Sequence, residues 1–405
     1  MSAPLQGIRV FDLSRILAGP TATQILGDLG ADVIKIERPG QGDDTRKWGP
    51  PFVKNPDGKN TSESGYYLSV NRNKRSITLD IAQPEGQEIA KKLIAKSDIF
   101  VENFKVGDMA KYNLAYDQIK IDFPRLVYCS ITGFGQTGPY AHRAGYDFLA
   151  QGMGGIMSVT GDPSTPPVKI GVAATDIITG IYATTGILAA LHHRNATGRG
   201  QYIDMSLLDS QVSYLANIGL HYLTSGEVPK RLGNEHPNIV PYSVVTCADG
   251  FFILAVGNDS QFEKFCSFAG MPDWAKDPRF ATNPARVQNR TVLYEMINKV
   301  TAQHPQRHWI DGLEALSVPC GPVNNVDQVF ADPQVLHRNM KISMPYPAAA
   351  SGHVDLIGSP LKLSETPVDY RLAPPICGKD TDTVLREMLY LTDDDLRALR
   401  EKKVI

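Results

Sequence analysis

The sequence predicts an α/β fold: a mostly parallel sheet covered by helices on both faces, followed by a smaller α+β domain. Three observations lead there. Short apolar runs alternate with amphipathic segments of helical period through the first half of the chain, the pattern of βαβ units. The 405 residues, 42% of them hydrophobic, are more than one core of about 150 residues needs, so two or three domains are expected. Composition changes near Ser225-Gly-Glu-Val-Pro229, which reads as a hinge.

Taken in order, a strand over 8–13 enters Ser14-Arg-Ile-Leu-Ala-Gly-Pro20; a short helix over 21–29 and a strand over 32–37 complete a βαβ unit. A helix over 84–96 and strands over 98–102 and 125–132 continue the alternation. Ligands of such sheets bind at the carboxyl ends of the strands, the position expected for Arg15, Arg38, Asn103 and the loop after Gly133. A glycine-dense stretch then leads to Asp176, after which Ile177, Ile181, Tyr182, Thr185, Leu188 and Leu191 recur at helical spacing up to Thr197-Gly198. This reads as a buried helix; its uncharged part, 177–191, is too short for a bilayer core of roughly 30 Å. The expected domains are 1–225, then 226–325 with a hairpin strand over 249–256 and helices over 261–269 and 292–303. An extended return over 326–405 ends in a helix over 393–403.

A formal net charge of −2 gives no global basic field, so neither nucleic acid nor membrane is an expected partner. Five scattered cysteines without a Cys-x-x-Cys pair argue against a disulfide framework and a zinc site, so no metal is expected. With a strand starting within a few residues of the N-terminus, the cytoplasm is the expected location, or an organelle after processing. Walker A, His-Glu-x-x-His and Gly-x-Ser-x-Gly patterns are missing. Gly133-Phe-Gly-Gln-Thr-Gly138 matches a dinucleotide fingerprint but runs into Pro139 instead of opening a helix, and a glycine-rich acyl-binding loop explains it better. His192-His193, adjacent on a helix near its C-terminus, reads as structural.

Two features carry chemistry. Asp176 stands at the positive end of its helix, where an N-cap and a catalytic carboxylate look the same in sequence. Arg38-Pro-Gly-Gln-Gly-Asp-Asp-Thr-Arg46 and Asn71-Arg-Asn-Lys-Arg75 put cations in loops near predicted strand ends, where arginine grips phosphate and carboxylate bidentately.

Leu17-Ala-Gly-Pro20, Gly30-Ala-Asp-Val-Ile-Lys-Ile-Glu-Arg-Pro-Gly40, Asn73-Lys-Arg-Ser-Ile77, Val101-Glu-Asn-Phe104, Gly145-Tyr-Asp147, Asp176 and Thr197-Gly-Arg-Gly-Gln201 together resemble the class III CoA-transferases, the CaiB/BaiF family that includes formyl-CoA transferase. Gly42-Asp-Asp-Thr-Arg-Lys-Trp-Gly-Pro-Pro-Phe52, Ser69-Val-Asn-Arg-Asn73, Cys129-Ser-Ile-Thr-Gly133, Gln136-Thr-Gly-Pro139 and Asn238-Ile-Val-Pro-Tyr242 look most like the dicarboxylate-using members, the succinyl-CoA:glutarate CoA-transferases among them. The resemblance implies a Rossmann-like large domain and an interlocked, ring-like homodimer. It also implies CoA transfer from an acyl-CoA such as succinyl-CoA to a small dicarboxylate, with the CoA thioester as substrate and no prosthetic group. Asp176 would carry the acyl group as an anhydride and then CoA as a thioester. At an ordinary carboxylate pKa near 3.9 it would be ionised at pH 7. Arg38, Leu79, Asn103, Phe104 and Lys111 match CoA-contacting positions; Leu17 and Tyr146 match the acyl site; Gly233 and His236 lie in a segment resembling the mobile loop over it. For the distal carboxylate, Arg15, Arg46, Arg72 and Arg143 are the candidates, Arg46 and Arg72 preferred. Tyr146 replaces the histidine of the related acyl-CoA racemases, Ala144 replaces a lysine of formyl-CoA transferase, and Gly378-Lys-Asp-Thr381 departs from the usual motif. A racemase and a non-catalytic CoA-binding protein are the competing readings.

Overall fold

The strands of the large unit are short because both faces are buried and each need only cross one core. β1 (Arg9–Asp12), β2 (Asp32–Glu37), β3 (Lys74–Thr78), β4 (Ile99–Glu102), β5 (Val127–Thr132) and β6 (Tyr202–Ser206) form one sheet in the order β3-β2-β1-β4-β5-β6. Every pairing in it is parallel. The structure, a computed structural model, describes residues 3–405. Alternate side chains enter opposite cores: Phe11, Ile34, Phe100 and Tyr128 on one face, Val10, Val33, Val101 and Cys129 on the other. The first face is covered by α2 (Pro84–Ile94) and the two C-terminal helices, the second by α1 (Ala18–Asp28) and α4 (Ala174–Thr197), against which α3 (Asp147–Met153) packs.

The predicted strands over 8–13, 32–37, 98–102 and 125–132 are those of β1, β2, β4 and β5, to within two residues at their ends. Two strands of this sheet are not legible in the sequence. β3 begins inside the basic run Asn71–Arg75, where Lys74 and Arg75 hide an edge strand whose Lys74 ammonium is fully buried against Asp12 at 3.2 Å. β6 reads Tyr-Ile-Asp-Met-Ser, too mixed for a strand signal, and is held by its register against β5. The unusual Gly378–Thr381 segment has a structural role at this edge: Ser76 N–H donates to the Asp380 carboxylate at 2.9 Å, and Thr78 N–H to the Thr381 hydroxyl at 3.0 Å.

Helix α4 ends where the sequence places its stop, at Thr197-Gly198, but is a correction in face. Of the residues that pick it out in sequence, Ile181, Tyr182, Thr185 and Leu188 are exposed, Ile177 is half-buried and Leu191 is buried; the buried face is mostly small: Thr179, Gly180, Ala183, Thr184, Ile187 and Ala190. A Cβ on Gly180 would lie 2.7 Å from the Ala18 carbonyl oxygen and 2.8 Å from Thr21 Cβ, so α1 and α4 pack backbone to backbone. At 24 residues α4 is long and apolar enough to cross a membrane by length and composition, but half of its apolar window is buried within the fold.

Contacts divide the chain into two units: Met1–Gly155 with Ile170–Gly219 and Pro333–Ile405, and Ile156–Lys169 with Leu220–Asp332. The second crosses over earlier than the expected 226 and returns later than 325, and it takes 156–169, which the sequence leaves in the first domain. The reason is long-range pairing: Gly233 N–H donates to the Gly161 carbonyl at 3.1 Å, and Arg231 Nη2 to Thr165 O at 2.7 Å. Its core gathers Phe252, Phe262, Phe265, Ile297, Trp309 and Leu313 around an antiparallel sheet of β7 (Tyr242–Cys247), β8 (Gly250–Ala255) and β9 (Cys320–Pro322).

Candidate active site

The strand order changes direction between β1 and β4, and the loops leaving their carboxyl ends part there, which is where doubly wound sheets bind ligands. Side-chain and backbone bonds stitch the two loops together. Asn103 Oδ1 accepts Arg15 N–H at 2.8 Å while its Nδ2 donates to Arg15 O at 2.7 Å, and the Phe104 ring lies 5.3 Å from the Arg15 guanidinium carbon. Next to them Ile16 has φ +72°, a conformation costly for a β-branched residue and worth about 1–3 kcal/mol of local strain. Its N–H lies 3.3 Å from both oxygens of Asp43, which keeps the turn in place. Asp43 is itself fixed by Lys35 at 2.8 Å; despite its burial, Lys35 and Thr45 hold its carboxyl down at about 2.

Two clefts meet at this wall. One, of about 360 Å³, is lined by Leu13, Arg38, Gly42, Leu79, Ala82 and Tyr112 among others. The second, of about 270 Å³, is lined by Leu17, Asn103, Gly133, Arg143, Tyr146 and Asp176. Arg15, Phe104 and Asp108 line both. Gly133 and Gly145 form the second cleft's tightest corner: a Cβ on either would lie within 2.4 Å of the other's Cα.

Asp176 lies in the first turn of α4, third in the helix, and is not its N-cap. Asp147, at the start of α3, takes the capping part from outside. Its Oδ1 accepts Thr175 N–H at 2.8 Å and Asp176 N–H at 3.3 Å, while Gln151 Nε2 donates to its Oδ2 at 2.7 Å. Those two helix-end amides are therefore not free to meet a substrate oxyanion. Burial, and then the Asp147 charge, push the Asp176 carboxyl up to about 7. The expectation of an ordinary carboxylate with a pKa near 3.9 is thus corrected: burial and Asp147 move its titration into the neutral range.

The arginines sort cleanly. Arg46 is buried and spends its donors on Glu37 (2.6 and 2.8 Å), Glu63 (2.5 Å), Tyr67 Oη and Pro375 O. Arg72 is buried and bidentate to Asp28, with Nη1 on Ile357 O. The preference for these two as carboxylate-binding residues is overturned, because neither lines either of these two clefts and both answer internal carboxylates. Arg15 lines both clefts but pairs with Asp44 at 2.8 Å. Arg143 lines the Asp176 cleft, its guanidinium 4.7 Å from the Tyr140 ring and 5.3 Å from that of Phe134. Lys111 does not line the larger cleft and pairs with Asp108, which does. Gly233 (φ +60°) and His236 belong to the second unit, where His236 Nδ1 accepts Asn238 N–H at 3.1 Å. Sequence reasoning passed over Asp147, Glu102 and Lys105, although the first two stand inside the quoted Gly145-Tyr-Asp147 and Val101-Glu-Asn-Phe104 motifs.

The profile of CoA-transferase family III matches residues 5–381, nearly the whole chain. The chain belongs to this family. Among its relatives, succinate–glutarate CoA-transferase of Agrobacterium fabrum is 49% identical over 385 residues, 95% of this chain and 96% of the relative. Human succinyl-CoA:glutarate CoA-transferase is 42% identical over 99% of this chain and 90% of its own length. A solved CAIB/BAIF family protein of Brucella suis superposes with a TM-score of 0.86 at 47% identity, over 96% of this chain and all of that one. The family III chain described here is accordingly a CoA-transferase with the mixed α/β fold of the CaiB/BaiF proteins.

Proposed function

We propose that this CoA-transferase moves CoA from succinyl-CoA to glutarate or a dicarboxylate of similar length, with Asp176 as the covalent carrier. The observation that carries the reading is a half-buried carboxylate in a cleft that also holds Arg143 and adjoins, through the Arg15–Phe104 wall, a second cleft lined by Arg38. Relatives named for succinate and glutarate support the substrate pair. CoA occupies the larger cleft, with Arg38 and Leu79, and its thioester passes the Asn103–Phe104 wall.

An Asp176 oxygen attacks the thioester carbonyl carbon; the C–S bond breaks, leaving a succinyl–aspartyl anhydride and CoA thiolate. The thiolate attacks Cγ of Asp176 and releases succinate, giving an aspartyl-CoA thioester. Glutarate then attacks the same Cγ, expelling thiolate, and the thiolate takes the glutaryl group and frees the carboxylate. Each step exchanges one acyl bond for another, so the thioester's free energy is retained. The low-polarity surroundings that raise the Asp176 pKa also keep its carboxylate poorly solvated and hence a better nucleophile. A homodimer is part of this proposal, supported by the exposed apolar residues Ile181, Tyr182 and Leu188 along α4.

Intact-mass measurement after mixing with succinyl-CoA tests the carrier: a covalent adduct is expected on the wild type and none on Asp176→Ala, which should be inactive. A fully active D176A enzyme would end the proposal. Turnover with glutarate compared against monocarboxylates tests the acceptor.

A further inference from the structure

Glu102 closes β4 directly beneath the wall that the two clefts share, and it is buried, with 3% of its surface exposed. One of its oxygens, Oε2, accepts the Phe104 N–H at 2.8 Å. It stands opposite Ser130 of β5 in the parallel register, and the Ser130 hydroxyl accepts from Gln136 Nε2 at 2.8 Å. A separate cavity of about 190 Å³ lies against it, lined also by Lys105, Tyr116, Tyr128, Gln136 and Tyr202. None of the ion pairs found among the described residues includes Glu102. A buried carboxylate without a paired cation is costly, so its retention here calls for a use.

We infer that Glu102 is a positioning residue for CoA: through the Phe104 amide it holds the Asn103–Val106 loop, and with it the wall common to both clefts. The chain of contacts is continuous. Glu102 fixes Phe104, whose ring lies against Arg15; Asn103 locks the Arg15 backbone from both sides; and Lys105 and Val106 complete the lining of the Asp176 cleft. An ionised acceptor holds that amide about twice as strongly as a neutral one. Burial pushes the Glu102 carboxyl up to about 7, opposed by Ser130 and the Phe104 amide and reinforced by Asp108. The other titratable groups facing it are Tyr128 and Cys129 on β5, Tyr202 and Asp204 on β6, and Lys105 and Tyr116 at the cavity. The sign follows: above pH 7 the carboxylate grips the loop, and as pH falls through 7 the grip weakens and CoA affinity drops. The inference rests on the proposal that CoA occupies these clefts.

Because Asp176 titrates in the same range, the test removes it. Binding of free CoA to Asp176→Asn is measured by calorimetry from pH 6 to 8.5, alone and combined with Glu102→Gln. The difference between the two cancels the titration of CoA itself. D176N should lose about fivefold more affinity toward pH 6 than D176N/E102Q, the size expected when a charge-assisted hydrogen bond becomes a neutral one. Ser130→Ala in the D176N background should move the transition to higher pH, and it serves if the double variant does not fold. Identical pH dependence in all three proteins would overturn the inference while leaving the CoA assignment intact. Failure of D176N to bind CoA at any pH would remove both.

Discussion

At the scale of single residues, the chemistry depends on a carboxylate kept from ionising early. Asp176 is pushed up to about 7, so the nucleophilic form is lost as pH falls through that value, and kcat/KM should decline with unit slope below about pH 7. The same shift has a cost in stability. A carboxyl whose folded pKa lies above its unfolded value of 3.8 favours the native state fully only below that value, and the contribution is lost as pH rises toward 7. Asp176→Asn should therefore be more stable than the wild type at pH 8, by about 2 kcal/mol after allowing for partial solvent access, and equal to it near pH 4. Denaturant titrations at the two pH values check this. Arg143 is tested by Arg143→Met, for which KM for glutarate should rise about tenfold or more while transfer to a monocarboxylate of the same length is little changed. By their motifs Arg46 and Arg72 rank ahead of Arg143 in the sequence. No local signal shows that Glu37, Glu63 and Asp28 turn inward to meet them.

At the scale of elements, α4 shows how a correct helix can be assigned to the wrong face. Hydrophobic periodicity weighs large side chains, yet the close approach to α1 selects small ones, and Gly180 sits at the contact. Replacing it with alanine gains up to about 1 kcal/mol of helix propensity. The clash with the Ala18 carbonyl costs about 1–3 kcal/mol, so Gly180→Ala should lower Tm, and kcat with it because Asp176 is one helical turn away. Arg72→Met tests the edge of the sheet. With Asp28 left buried and unpaired, a loss of about 3–5 kcal/mol is expected, with KM for glutarate unchanged in whatever folds. A KM effect matching that of Arg143→Met would restore Arg72 as a substrate contact. β3 was invisible for a related reason: lysines and arginines mark a strand as loop unless the partners that bury them are known.

At the scale of the whole molecule, two units with separate hydrophobic cores predict separable unfolding. Leu313 is fully buried in the core of the second unit, and Leu313→Ala should cost that unit about 2–5 kcal/mol. Scanning calorimetry would show one transition moving to lower temperature while the other stays. A uniform shift of a single transition would mean that the units unfold together.

The alternation of strands and helices, the α/β class, the family and the location of Asp176 at a helix start were all determined by the sequence, because each depends on residues close together in the chain. Hydrophobic period, glycine punctuation and short motifs are local signals. Which face of α4 is buried, which arginines remain for a ligand, where 156–169 belongs, and why Asp176 and Glu102 titrate near neutrality were decided only by tertiary structure. Burial and charge pairing depend on what the fold brings within a few ångströms, and a residue's neighbours in space are not its neighbours in sequence.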